Sequence, residues 1–335
     1  MSEKGENRMS DQRNIRIGRM NTCTFDQVLE LSQRGWEGYR EEMSRFFPLM
    51  APAPQAETVQ TDASKEKRPA PSALDRLLDR FGSNKIRAEQ SIVAFVDGKP
   101  AGFVFIAIKD VNGRRLAWNG GTAVLPEYRG LGLAKAMMQE VPAVLREQGV
   151  DRAYLEVVVK NDRAISAYRN GGFQIADRVI GLRRTESLLR PFYDGNRPAN
   201  IQLKYGKPKD VAQLSFCREE AAWGSMWHGI GERGESLIAY DAAGHAAAYA
   251  LFQRSGRTEA GEYQSITLYQ CEVNPAAADQ KLLFRLLLSE VYGNPDAACN
   301  RSTSNLSMSN PVLISLLKDA GFATVYEQYL MTLDP

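Results

Sequence analysis

Apolar residues change their spacing several times along the first half of the chain, and each change predicts an element. Residues 15–17 alternate apolar and polar as a short strand does. In residues 24–39, Phe25, Val28, Leu29, Leu31 and Trp36 form a helical stripe, and Thr24 with Gln27 has capping-box spacing. Leu74, Leu77 and Leu78 predict a second short helix over residues 72–80. Residues 91–96 and 101–108 are β-branched, apolar runs joined through Asp97-Gly98, the signal of a tight hairpin. Residues 115–124 predict the next strand and residues from Leu133 a helix; 153–159 follow as a strand, and 161–173 as a helix stopped by Gly171-Gly172. With a last strand at 178–184, the order describes an α/β layer arrangement around a mixed sheet.

The second half repeats the first faintly. Val124-Leu125-Pro126 returns as Val273-Asn274-Pro275, Asn161 as Asn310 and Gly172-Phe173 as Gly321-Phe322, all at a shift of 149 residues. Three landmarks at one offset predict two tandem domains of one fold. The boundary falls in residues 188–200, rich in Pro, Gly and Asn. The expected organisation is a disordered tail over 1–13, a first domain over 14–190 and a second over 198–335. Within the first domain, residues 49–71 are rich in Pro, Ala, Ser and charge and have little to bury, which predicts a mobile loop.

Composition adds mostly exclusions. The chain has 335 residues, 44% hydrophobic and 24% charged, with a formal net charge of +2, so no bulk charge argues for nucleic acid or an acidic membrane as partner. No apolar run approaches the length of a transmembrane helix, and the polar start lacks the apolar stretch of a secretory signal. The four cysteines, Cys23, Cys217, Cys271 and Cys299, are scattered without a CxxC pair, as expected of a reduced, cytoplasmic protein. His228 and His245 are too few and too far apart to suggest a metal site, and none is expected.

The candidate chemistry lies in Gly121 to Ala134, reading GTAVLPEYRGLGLA. A strand ends at Pro126, a loop carries Gly130 and Gly132, and a helix begins at Leu133. Glycines there let backbone approach a ligand, and the helix start offers unpaired N–H groups and a positive dipole end, the construction of a phosphate site. The spacing matches neither GxGxxG nor GxxxxGK[ST]. It is Arg-x-x-Gly-x-Ala, over Arg129, Gly132 and Ala134. This resembles the pyrophosphate loop of the GNAT superfamily of acyl-coenzyme A-dependent N-acyltransferases, whose pattern is Gln/Arg-x-x-Gly-x-Gly/Ala. The resemblance covers residues 91–173 well and the preceding residues by element order.

The resemblance implies the fold class α/β (α+β), with two tandem GNAT-like domains, each a mixed, mostly antiparallel twisted sheet flanked by helices. It implies acetyl-CoA as co-substrate, with Arg129, Gly130, Leu131, Gly132, Leu133, Ala134 and Lys135 at the pyrophosphate. Thr122, Ala123 and Val124 would contact the acyl and pantetheine groups from a splayed strand, and Asn161 would hydrogen-bond the pantetheine arm. Tyr168 is placed as general acid toward the leaving thiolate and Glu156 as general base. In the second domain these positions read Ala278, Asp279, Lys281 and Leu283 in the loop, with Leu317 for Tyr168 and Asn305 for Glu156, so only the first domain is expected to be catalytic. Trp36, Tyr39, Met43, Phe46 and Phe47, with Glu41 and Glu42, suggest an acceptor wall for a cationic amine, and Trp223, Trp227 and His228 are expected to face the same cleft. The function implied is acetyl transfer to a primary amine of a small molecule by a monomer or homodimer. A peptide or protein N-terminus is the competing acceptor, and a non-catalytic acyl-CoA sensor the competing class.

Overall fold

The structure, a computed structural model, describes residues 13–48, 72–259 and 261–335. The expected mobile loop at 49–71, and the expected tail except for Arg13, lie outside the described residues. The first half opens with β1 (Ile15–Arg19), then α1 (Phe25–Arg34), α2 (Tyr39–Ser44) and α3 (Ala73–Asn84). The predicted helix over 24–39 is therefore shorter than expected, and a separate helix begins at its end. The Thr24–Gln27 capping box is present at the start of α1, but α1 stops at Gly35. A Cβ on Gly35 would lie 2.9 Å from the Ala123 Cβ and 2.9 Å from the Phe103 ring. Gly38, at φ +75°, then turns the chain into α2.

The hairpin appears as β2 (Ile92–Val96) and β3 (Lys99–Val111), turning through Asp97 and Gly98, both at positive φ. β4 (Arg114–Val124), α4 (Leu133–Glu147), β5 (Arg152–Val158), α5 (Asp162–Asn170) and β6 (Gln174–Arg184) complete the half. From its second strand on, the second half follows the same plan, with no α-helix between its first two strands among the described residues: β7 (Gln202–Gly206), β8 (Glu235–Tyr240), β9 (Ala246–Arg257), β10 (Tyr263–Val273), α6 (Gln280–Tyr292), β11 (Asn300–Thr303), the short β12 (Leu306–Ser307), α7 (Pro311–Asp319) and β13 (Ala323–Leu333).

The expected cut at 188–200 divides the sequence but not the sheet. The strands form one 13-stranded sheet in the order β1-β2-β3-β4-β5-β13-β6-β11-β10-β9-β8-β7, with β12 beside β6. The last strand of each half has crossed over. β13 pairs with β5, setting Leu330 opposite Glu156, while β6 pairs with β11 and β12. Packing follows the exchange: Met331 of β13 joins the first half's core under α4, and Ile180 and Leu182 of β6 join the second half's core. Each fully buried side chain of this size contributes about 1.5–3 kcal/mol, so neither half closes its core without the other's strand.

Both faces of the first half are covered. α4 buries Leu133, Met137, Met138, Val141, Val144 and Leu145 on one side. α1 and α3 cover the other, with Val28, Leu31 and Leu77 against Phe103 and Phe105. All five residues of β2 are buried in consequence. At the join a third cluster forms, where Ala221, Trp223 and Met226 from the second half pack on Leu116, Tyr154 and Leu330.

Candidate active site

β4 and β5 run parallel for three pairs only, Leu116 with Arg152, Ala117 with Ala153 and Trp118 with Tyr154. Beyond them the strands part. The parting coincides with a bulge in β4: Phe105 of β3 opposes Gly121 and Ile106 opposes Asn119, leaving Gly120 extra. Asn119 stabilises the bulge, accepting the Gly121 N–H at 3.0 Å and donating to the Thr122 hydroxyl at 3.0 Å. Further along, Leu125 N–H donates to Ala101 on β3. Strand alternation therefore turns the amides of Thr122 and Val124 to the other edge, where β5 has moved away.

The parted strands open a cleft of about 470 Å³. Thr122, Ala123 and Val124 form one wall; Glu156, Asn161 and Tyr168 stand on the other side, and Arg129 and Ala134 lie at the mouth. Gly130 (φ +86°) and Gly132 (φ +76°) both require the left-handed region, and a Cβ at either would meet nothing within 4 Å. Gly132 is the N-cap of α4 and offers no side chain to cap it, so the first amides of the helix open onto the loop. Of the loop residues, Leu133 points into the core and Leu131 packs against it, while Lys135 is exposed. Arg129 is engaged elsewhere: its Nε donates to Val124 O at 3.1 Å, and its Nη2 to Gly35 O at 3.3 Å and Glu37 O at 2.8 Å. It ties the α1–α2 connection to the end of β4.

Tyr168 comes from the inner face of α5 and is 7% exposed. Burial pushes its hydroxyl up to about 12, against a hydrogen bond with Thr122 that opposes the rise. Asn161 caps α5, its Oδ1 accepting the Ala164 N–H at 3.2 Å, and its side chain also hydrogen-bonds Tyr39. Glu156 lies half-buried in the cleft floor. Trp118 Nε1 donates to its Oε2 at 2.8 Å, and the backbone N–H of Trp223 to its Oε1 at 2.7 Å. Burial raises its pKa above the ordinary carboxylate value, and these two donors, with the residue's own backbone N–H, limit the rise. A carboxylate of raised pKa and a protonated phenol in one cleft have the chemistry that a base and an acid require.

The expected acceptor wall is present in part. Trp36, Tyr39 and Glu42 line the cleft. Met43 is buried, Phe46 is exposed, and neither they nor Phe47 and Glu41 reach it. Trp223, Trp227 and His228 do not face it, contrary to expectation. Trp227 and His228 line a separate pocket of about 70 Å³ beside Tyr154, and Trp223 sits behind Glu156, only its amide reaching through. Burial, with Lys109 nearby, lowers the His228 imidazole to about 4 and keeps it neutral. Sequence reasoning missed Trp118, Asn305 and Gln328, which also line the cleft. Asn305 and Gln328 come from the second half, and Gln328 arrives on the exchanged strand β13. Among the described residues no group of three or more His, Cys, Asp or Glu could hold a metal, and no helix is long and apolar enough to cross a membrane.

The sequence pattern of the Acetyltransferase (GNAT) family matches residues 49–173. N-alpha-acetyltransferase 20 of Dictyostelium discoideum is 28% identical over 135 residues, 38% of this chain and 67% of that protein. Mycothiol acetyltransferase of Brachybacterium faecium is 30% identical over 167 residues, 44% of this chain and half (50%) of that protein. Among solved structures, a GCN5-related N-acetyltransferase from Sphaerobacter thermophilus shares the fold over 97% of this chain and 96% of its own, at TM-score 0.52 and 15% identity. A tandem GNAT protein from the clavulanic acid biosynthesis pathway does so over 96% of this chain and 98% of its own, at TM-score 0.50 and 16% identity. Residues 49–173 thus match the acetyltransferase (GNAT) family, and the whole chain shares its fold with a tandem GNAT protein.

Proposed function

We propose that this protein is an acetyl-CoA-dependent N-acetyltransferase whose acceptor is a primary amine of a small molecule. The observation that supports it is one continuous cleft with open helix amides at its mouth, free strand amides along its wall, and a buried phenol and a half-buried carboxylate at its depth. The residues fit acetyl-CoA by that geometry: the loop at Gly130–Gly132 leaves room where side chains would stand, and the α4 amides suit a diphosphate. When bound, acetyl-CoA supplies a thioester whose acyl carbon receives the amine.

The chain's own groups do the rest. Thr122 and Val124 amides stabilise negative charge as it develops on the acyl oxygen. Glu156 takes the proton that the amine must give up as its nitrogen bonds to carbon. Tyr168 protonates the sulfur as the carbon–sulfur bond breaks; its high pKa keeps that proton available across the physiological range. Glu42 with the rings of Trp36 and Tyr39 suits a cationic acceptor. Asn305 and Gln328 bound the cleft from the second half, which favours a compact acceptor over an extended peptide.

Isothermal titration with acetyl-CoA, then a thiol-release assay over a panel of primary amines and short peptides, tests this reading. Expected are one binding site and turnover on a small amine. Binding without turnover on any acceptor would favour a sensor, and turnover on peptides alone would move the acceptor class to polypeptide N-termini.

A further inference from the structure

The second half has a share in the first half's chemistry through one contact. Each oxygen of Glu156 receives one fixed donor, and the two donors come from different halves: Trp118 Nε1 at 2.8 Å from β4, and the Trp223 backbone N–H at 2.7 Å from the second half's loop. Behind the carboxylate the two indoles stack, centroids 6.2 Å apart with 3° between their planes. The turn that carries Trp223 is fastened to the second half's own strands. Gln270 Nε2 donates to Ser225 O at 2.9 Å, and Ser225 Oγ to Ser304 O at 2.8 Å. Lys109 of β3 holds the turn from the other side, its ammonium 5.4 Å from the Trp223 ring and donating to His228 O at 3.2 Å.

We propose that Trp118 and Trp223 are positioning residues for Glu156, so that the second half, through the Trp223 amide, shares with Trp118 in setting the orientation and ionisation of the first half's carboxylate. The inference rests on the reading of Glu156 as base. Two donors on two oxygens fix the carboxyl plane and leave its remaining lone pairs toward the cleft. They also favour the charged form, opposing burial. No lysine or arginine pairs with Glu156 among the described residues. The titratable groups that face it are phenols, Tyr168 from α5 and Tyr326 from β13, both with raised pKa and so uncharged. The indole donor is therefore the one side-chain group that favours its ionised state strongly.

The test needs no acceptor, because the indoles beside Glu156 report its charge. Tryptophan fluorescence of the full chain is titrated from pH 4.5 to 9 for wild type, Glu156→Gln, Trp118→Phe and Trp223→Phe. Wild type is expected to show a step above the ordinary glutamate range that Glu156→Gln abolishes, which separates it from His228. Trp118→Phe, with Trp223 still reporting, is expected to move the step up by about one pH unit, the size of one hydrogen bond to a charged group. Trp223→Phe keeps the backbone N–H and is expected to leave the step near its wild-type position. No step in wild type, an unmoved step in Trp118→Phe, or equal shifts in both variants would overturn the proposal, the last because lost packing would explain it. Turnover of Glu156→Gln separates this from the base reading. A variant that loses the step yet keeps turnover sinks the base and leaves the positioning intact. A dead variant alongside an unmoved Trp118→Phe step does the reverse.

Discussion

The two halves share a scaffold and differ in what fills it. Both bulge their central strand at the same place: Gly120 is the extra residue in β4, and Tyr269, 149 positions later, is the extra residue in β10. Both cap the following short helix with an asparagine, Asn161 taking the Ala164 N–H and Asn310 the Leu313 N–H, each at 3.2 Å. Yet the first cleft holds about 470 Å³ and its counterpart about 10 Å³. Tyr269 and Glu272 line the second where Gly120 and Ala123 line the first, and Arg218 crosses it to Glu272 at 2.6 Å. Leu317 replaces Tyr168 and is fully buried. At the helix start, α4 begins on an uncapped glycine, whereas α6 begins on Asp279, whose carboxylate takes the Leu282 N–H at 2.9 Å. Asp279 stands where the shift puts Gly130, so α6 starts two residues early and the loop has become helix. The fold tolerates loss of the site because the side chains that close it also pack it; what the site requires is absence of side chain at a few positions.

The largest effect follows from importing the second half's cap into the first. Gly132→Asp places a carboxylate against the amides of α4 and forces a non-glycine residue into φ +76°. Acetyl-CoA affinity by isothermal titration is expected to fall by at least about 100-fold, or ~2.7 kcal/mol. Unchanged affinity would place the diphosphate elsewhere.

Next in size is Tyr168→Phe, which makes the first half resemble the second at its acid position. Loss of a positioned proton donor lowers kcat by about 100-fold, and binding of acetyl-CoA, titrated alongside, is expected to stay within about threefold. A fully active variant would remove Tyr168 from the mechanism. The pH profile sharpens the same point. The proposed base Glu156 would act as a carboxylate and its pKa is raised above 4.5, so kcat/KM is expected to fall as pH drops through a value above that, and to recover as pH rises. Tyr168 keeps its proton until about 12, so it adds no alkaline fall in an ordinary assay range. A profile with no acid-side fall would reject Glu156 as base.

What could be read in the sequence was local. The capping box at Thr24, the hairpin turn at Asp97-Gly98, the glycine loop before α4 and the asparagine caps each depend on residues within one turn of each other. The break at Gly35 was legible in principle, since two glycines flank Trp36-Glu37, but its cause is long-range: only Gly35 allows α1 to meet Ala123 and Phe103 so closely. The exchange of β6 and β13 left no local mark, because alternation within a strand says which face is buried and not which neighbour it joins. That exchange brings Gln328 to the cleft and Leu330 beside Glu156, and the loop packed across the join brings the Trp223 amide. Trp118 is a different case. It lies in a predicted strand, three residues before Gly121, and its indole was readable as a donor only once Glu156 was known to sit on the adjacent strand.

The smallest expected effect is the most discriminating for the comparison. If Asp279 alone silenced the second half, Asp279→Gly would restore a second binding event. The structure argues otherwise. Removing the carboxylate frees the Leu282 amide, but Tyr269, Glu272 and Arg218 still line a pocket of about 10 Å³, too small for a pantetheine arm. Glu272 is also charge-paired with Arg218, so emptying the pocket would strand a partly buried ion. Titration of Asp279→Gly with acetyl-CoA is expected to give the same single site as wild type, with a loss of stability of only about 0.3 kcal/mol, because glycine is itself a tolerated cap. A stoichiometry of two would show that the cap alone had closed the second site, and that the filled bulge is a consequence of disuse and not its cause.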